Sequence, residues 1–104
     1  MTLQDQLYDY CRERNFPISP CILESIDFVV EMGADKIGVM LRDWNRALGF
    51  NVVIYAEQLK KRYKEFSQVV ILTNSCSDPA QTLADKIGIP LIKHWELLPQ
   101  TRIK

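Results

Sequence analysis

The chain has 104 residues, with 13 Lys and Arg against 13 Asp and Glu, and hydrophobic residues make up 47% of it. These values exclude a disordered or low-complexity chain, and the length allows one domain, residues 1–104, around a single core. Zero formal net charge argues against a nonspecific polyanion binder, which carries an excess of Lys and Arg, but it leaves room for a local basic patch.

Thr2 is placed to cap a first helix of about a dozen residues, with Leu3, Leu7, Tyr10 and Cys11 on its apolar face. Asn15, Pro17 and Pro20 stop it. From Ile22 to Met32 the pattern predicts a strand, with Ile26, Phe28, Val30 and Met32 on one face and Asp27, Val29 and Glu31 on the other. Gly33-Ala34-Asp35 is a turn signal, and Lys36 to Asp43 is a second strand, so the two are expected to form a hairpin. On that strand Ile37, Val39 and Leu41 share a face, and Met40 and Arg42 share the other. Asn51 is the expected N-cap of the next helix, with its stripe at Val52, Ala56, Leu59, Tyr63 and Phe66. The run Val69-Val70-Ile71-Leu72 reads as a strand buried on both faces, and Thr73 to Ser77 as a loop. Asp78-Pro79 opens a helix carrying Leu83, Ala84 and Ile87, and Gly88 ends it. Pro90-Leu91-Ile92 is a short last strand, and Trp95 to Leu98 a terminal turn or helix. The order α-β-β-α-β-α-β is that of an α/β fold: a mixed β-sheet with flanking helices, antiparallel at the front hairpin and parallel behind it.

Cys11, Cys21 and Cys76 are odd in number and lack CxxC spacing, and His94 is the sole histidine. Free thiols of a reducing cytoplasm are the plain reading. No apolar run approaches the ~20 residues that span a bilayer, and the N-terminus lacks the basic and apolar regions of a signal peptide. An intracellular, cytoplasmic protein away from membranes is expected.

Ready-made catalytic motifs are missing: the glycines at 33, 38, 49 and 88 are isolated, and one histidine leaves little scope for a triad. Cys76, just before a helix start, has no evident base. The informative stretch is the hairpin, because carboxylates from neighbouring strands that meet at one point, with a nearby Lys, are what a divalent cation and its water need. Ser25-Ile26-Asp27-Phe28-Val29-Val30-Glu31, followed by Lys36 to Trp44, resembles the core of the restriction-endonuclease-like, PD-(D/E)xK superfamily, and most of all its Mrr-type branch. Val69 to Asn74, Ser77-Asp78-Pro79-Ala80 and Ala84 to Ile92 resemble the strand, helix start and ending of the same domains, so the resemblance covers about residues 22 to 98.

The resemblance makes Asp27 the metal-binding aspartate and asks for Glu or Gln, any residue, and Lys on the second strand. Met40, Leu41 and Arg42 stand there instead. A thioether is no ligand for Mg²⁺, and a guanidinium is no general base. The resemblance then implies a restriction-endonuclease-like domain with lost or much reduced nuclease activity, which binds DNA or serves as a scaffold in DNA processing. The alternative is an active Mg²⁺-dependent endonuclease with relocated groups: Asp27 and Glu31 as metal ligands, Lys36 or Arg42 as the cation, and Glu24 and Asp43 as further carboxylates nearby. Lys60, Lys61, Arg62 and Lys64 form the strongest basic run, which Lys36, Arg42 and Arg46 extend if the hairpin lies beside it; contacts there would be with phosphates. Trp44 and Trp95 are core, interface or base-stacking aromatics. A protein-interaction module is a further alternative, and the resemblance implies a homodimer or a protein partner, since these nucleases commonly dimerise.

Overall fold

The computed structural model describes residues 2–44 and 46–93. The elements run α1 (Leu3–Arg14), β1 (Ile18–Pro20), β2 (Phe28–Met32), β3 (Asp35–Arg42), α2 (Phe50–Arg62), β4 (Gln68–Thr73), α3 (Asp78–Ile87) and β5 (Leu91–Lys93). They make an α/β fold whose five strands lie in sequence order, antiparallel from β1 to β3 and parallel from β3 to β5. The predicted class and order of elements are present, with one strand added at the edge. That strand, β1, was hidden by Pro17 and Pro20; proline is tolerated there because an edge strand leaves one side of its backbone unpaired.

Local chemistry explains the helices. Thr2 and Asp5 form a reciprocal capping box at the start of α1, and Asn15 closes it in the left-handed region at φ 58°. Ser77, one residue ahead of the expected Asp78, caps α3 by accepting from Ala80 N–H, and Gly88 ends it at φ 78°. The second helix starts earlier than Asn51 suggested, at Phe50, with Gly49 as N-cap.

The long strand predicted from Ile22 to Met32 is shorter, starting at Phe28. Ile26 N–H closes a turn on Leu23 C=O, and Glu24 takes a positive φ of 39°, so residues before Asp27 leave the ladder. Ile26 therefore departs from the face of Phe28 and Val30. It packs over Gly38 in the cluster that α2 and α3 build with Met40, Val69, Ile71 and Leu91. Across the sheet, α1 covers Phe28, Val30, Ile37, Val39, Val70 and Leu72. β4 contributes to both clusters, as its continuous apolar run requires. The expected turn at Trp95 to Leu98 lies outside the described residues. No helix among the described residues is long and apolar enough to cross a membrane.

Candidate functional site

In the register of the hairpin, Phe28 faces Val39, and Asp27 N–H still donates to Val39 C=O at 2.8 Å. β2 then gives out while β3 continues to Arg42, which leaves the Leu41 N–H and C=O without a strand partner on that side. Side chains replace the missing backbone. Asp27 Oδ2 accepts from Leu41 N–H at 2.8 Å, and Arg42 Nη1 donates to Leu41 C=O at 2.8 Å. The same Nη1 donates to Asp27 Oδ2 at 3.0 Å, and Nη2 to Ser25 C=O at 3.3 Å. The Arg42 side chain is only 15% exposed and Asp27 41%, so the pair is a half-buried staple at the rim of the sheet.

Met40 is 0% exposed and sits in the core beside Ile71 and Leu91. The set around Asp27 is thus one carboxylate already accepting two hydrogen bonds, a thioether and a guanidinium. That set does not fit Mg²⁺, which wants hard oxygen ligands. Glu31 is four residues along the strand from Asp27, about 13 Å at the usual rise, and faces Lys36 at the turn end of the hairpin. Among the described residues no group of three His, Cys, Asp or Glu side chains is placed to hold a metal.

The other two nearby carboxylates are also engaged. Asp43 accepts from Asn74 Nδ2, which donates as well to Trp44 C=O at 3.3 Å. Glu24 receives Tyr63 OH at 2.7 Å, Tyr55 OH at 3.0 Å and the Arg62 guanidinium. The hydrogen bonds from Tyr63, Arg62 and Tyr55, in that order, pull the Glu24 carboxyl down to about 2. This cluster ties the loop before β2 to α2, and no sequence signal announces it because its members are 31 to 39 residues apart.

The basic residues do not form one surface. Ser67 N–H donates to Lys36 C=O at 2.9 Å, which puts Lys36 near the end of α2 that carries Lys60, Lys61, Arg62 and Lys64. Arg42 and Arg46 belong to the opposite end of β3, six residues or about 20 Å away. Arg62 is paired with Glu24 and Lys61 with Glu57, whereas Lys60 and Lys64 make no ion pair among the described residues. At the other end the Arg46 guanidinium lies over the Trp44 ring, 4.5 Å from its centroid, with that of Arg42 at 5.9 Å. The alternation Arg42, Trp44, Arg46 was the available signal for this contact. Cys11 is buried, and burial pushes its thiol up to about 11, so it is unreactive.

No family model matches the chain, and no curated protein matches it. Two solved structures do. The crystal structure of a protein of unknown function, AF1548, matches with a TM-score of 0.73 at 20% identity, over 86% of this chain and 55% of that one. EndoMS in its apo form matches with a TM-score of 0.52 at 17% identity, over 86% of this chain and 44% of that one. The architecture is compatible with a restriction-endonuclease-like fold. The chain spans about half the length of these two structures, and at such identities the likeness concerns the fold.

Proposed function

We propose that the chain is a nucleic-acid-binding domain of restriction-endonuclease-like fold whose hydrolytic centre has become a structural ion pair, acting in DNA processing or as a scaffold. The observation that carries this reading is the use of Asp27: its carboxylate completes the β3 ladder and holds Arg42. The neighbouring acidic position of the resembled motif is Met40, sealed in the core. Likeness in fold to EndoMS supports a nucleic-acid ligand. Phosphate contact falls to Lys60 and Lys64, since Asp27, Glu24 and Glu57 pair with Arg42, Arg62 and Lys61 and Arg46 lies over the Trp44 ring.

The test combines cleavage and binding. With plasmid, single-stranded and branched DNA, neither Mg²⁺ nor Mn²⁺ is expected to support cleavage. Binding to the same DNAs at low salt should be measurable and weaken as salt rises. Robust cleavage that disappears in Asp27→Ala would overturn the reading in favour of a Mg²⁺-dependent endonuclease. A second reading, a protein-interaction module, is favoured by exposed Phe50 and Ile54, one turn apart on α2, and by Ile22, which is 96% exposed. Absence of DNA binding at low salt, with a dimer in sedimentation, would select it.

A further inference from the structure

We infer that Trp44 and Arg46 form a platform on which an unpaired nucleobase stacks, at the carboxyl ends of β3 and β4; this rests on the nucleic-acid reading above and names the part of the ligand recognised. Support for the ring comes from both neighbouring connections. Asn74, just past β4, donates to the Trp44 carbonyl and to Asp43. Further along, Leu48 N–H donates to Ser75 C=O and Ser77 N–H to Leu48 C=O, both at 3.0 Å, which joins the two connections as a parallel bridge. These bonds tie the backbone at and beyond Trp44 to the connection past β4, and the indole packs against the core, which is the support a stacking surface needs.

Trp44 is only half-buried against the edge of the α2–α3 core. Exposed Arg46 lays its guanidinium on the ring at 4.5 Å and makes no ion pair among the described residues. A planar cation stacked on an indole and open to water is a surface on which a base with no pairing partner can stack, above the guanidinium or in its place. A phosphate is the less suitable occupant. Arg42 is neutralised by Asp27, so the local charge offers little to a phosphate. Stacking needs no net charge, and it reconciles a nucleic-acid ligand with a chain of zero formal charge. Bases inside a duplex have their faces covered, so the platform discriminates in favour of bulged, flipped or single-stranded nucleotides.

The probe is a DNA hairpin with one bulged nucleotide, compared with the same hairpin fully paired, each titrated with the full chain by fluorescence anisotropy. An RNA pair of the same design separates base from sugar recognition, and the stacking reading expects the bulge preference in both. The bulged hairpin should bind about tenfold tighter or more. That preference should vanish in Trp44→Ala, persist in Trp44→Phe, and fall several-fold in Arg46→Ala, whose exposed side chain leaves folding intact. Lys60→Ala with Lys64→Ala should weaken both hairpins alike and leave their ratio unchanged. Equal binding of bulged and paired hairpins, or a preference that survives both Trp44→Ala and Arg46→Ala, overturns the platform alone. Binding of neither hairpin at low salt overturns the nucleic-acid reading with it.

Discussion

Glu24 and Asp27 belong to the same loop, three residues apart, and each grips an arginine, but the surroundings turn them to different ends. Asp27 and Arg42 stand where a strand is missing, and both sides of the pair bond to the Leu41 backbone as well as to each other. Glu24 stands at the surface and collects two phenols and the Arg62 guanidinium from α2 and its C-cap, Tyr63. The first pair substitutes for sheet hydrogen bonds, and the second fastens a loop to α2. Their difference lies in the backbone: an orphaned N–H and C=O must be satisfied, whereas a loop on a helix need only be held. A carboxylate beside a basic residue in this fold is therefore not evidence of a metal site until the backbone groups around it are accounted for.

The sharpest way to break that contrast is to rebuild the motif that Met40 interrupts. Met40→Glu places a carboxylate at a position with 0% exposure among Ile71 and Leu91. An unpaired buried carboxylate should destabilise by about 4 kcal/mol or more, and cleavage should not appear even with Arg42→Lys added. Urea denaturation and a Mg²⁺ cleavage assay on the double variant check this; a stable, cleaving variant would make Asp27 a metal ligand after all. Next in size is Arg42→Ala, which strips the donors from Asp27, Leu41 C=O and Ser25 C=O. A loss of about 2–3 kcal/mol is expected in urea denaturation. Asp27→Asn should lose less, about 1 kcal/mol, since the amide oxygen still accepts from Leu41 N–H. In a double-mutant cycle the two effects should be strongly non-additive, because one ion pair underlies both.

How legible each feature was depended on how far it reaches along the chain. The Thr2 cap, the Gly88 stop and the doubly buried β4 are written within a few residues, and the structure has each of them. The β3 alternation of Ile37 and Val39 against Met40 also held, because a buried strand locks its side-chain period. β2 is shorter than its pattern predicts because apolar residues at 22, 23 and 26 imitate a strand, while the positive φ of Glu24 has no local signature. That conformation is held from α2, 31 to 39 residues away. At the candidate site, the resemblance to the nuclease motif points to Asp27 and Arg42, but their engagement with Leu41 follows from where β2 ends. The basic run at 60–64 would join Arg42 and Arg46 only if both lay at one end of the hairpin, and the fold separates them by the length of β3.

The smallest expected effect isolates the Glu24 side of the comparison by pH. Its carboxyl has an ordinary value of 4.5 and is held at about 2 in the folded chain, so folding favours the ionised form. The stabilisation is complete above about pH 4.5 and is lost as pH falls toward 2, because only there does the folded protein take up the proton. Tyr63 titrates in the other direction: the hydrogen bond it donates to Glu24 raises its pKa above 10, so its share is present below pH 10 and lost as pH rises further. Thermal melts should accordingly fall between pH 4.5 and 2 and again above pH 10. In Glu24→Gln both slopes should flatten, since the acceptor charge is gone at every pH. In Tyr63→Phe the alkaline slope should flatten, while the acid slope keeps the part owed to Arg62 and Tyr55. An acid slope unchanged by Glu24→Gln would assign it to other carboxylates and leave the Glu24 cluster without a role in stability. By linkage the Glu24 carboxyl would then not be held low in the folded chain, and the fastening of the loop would fall to Asp27, Arg42 and the packing of Ile26.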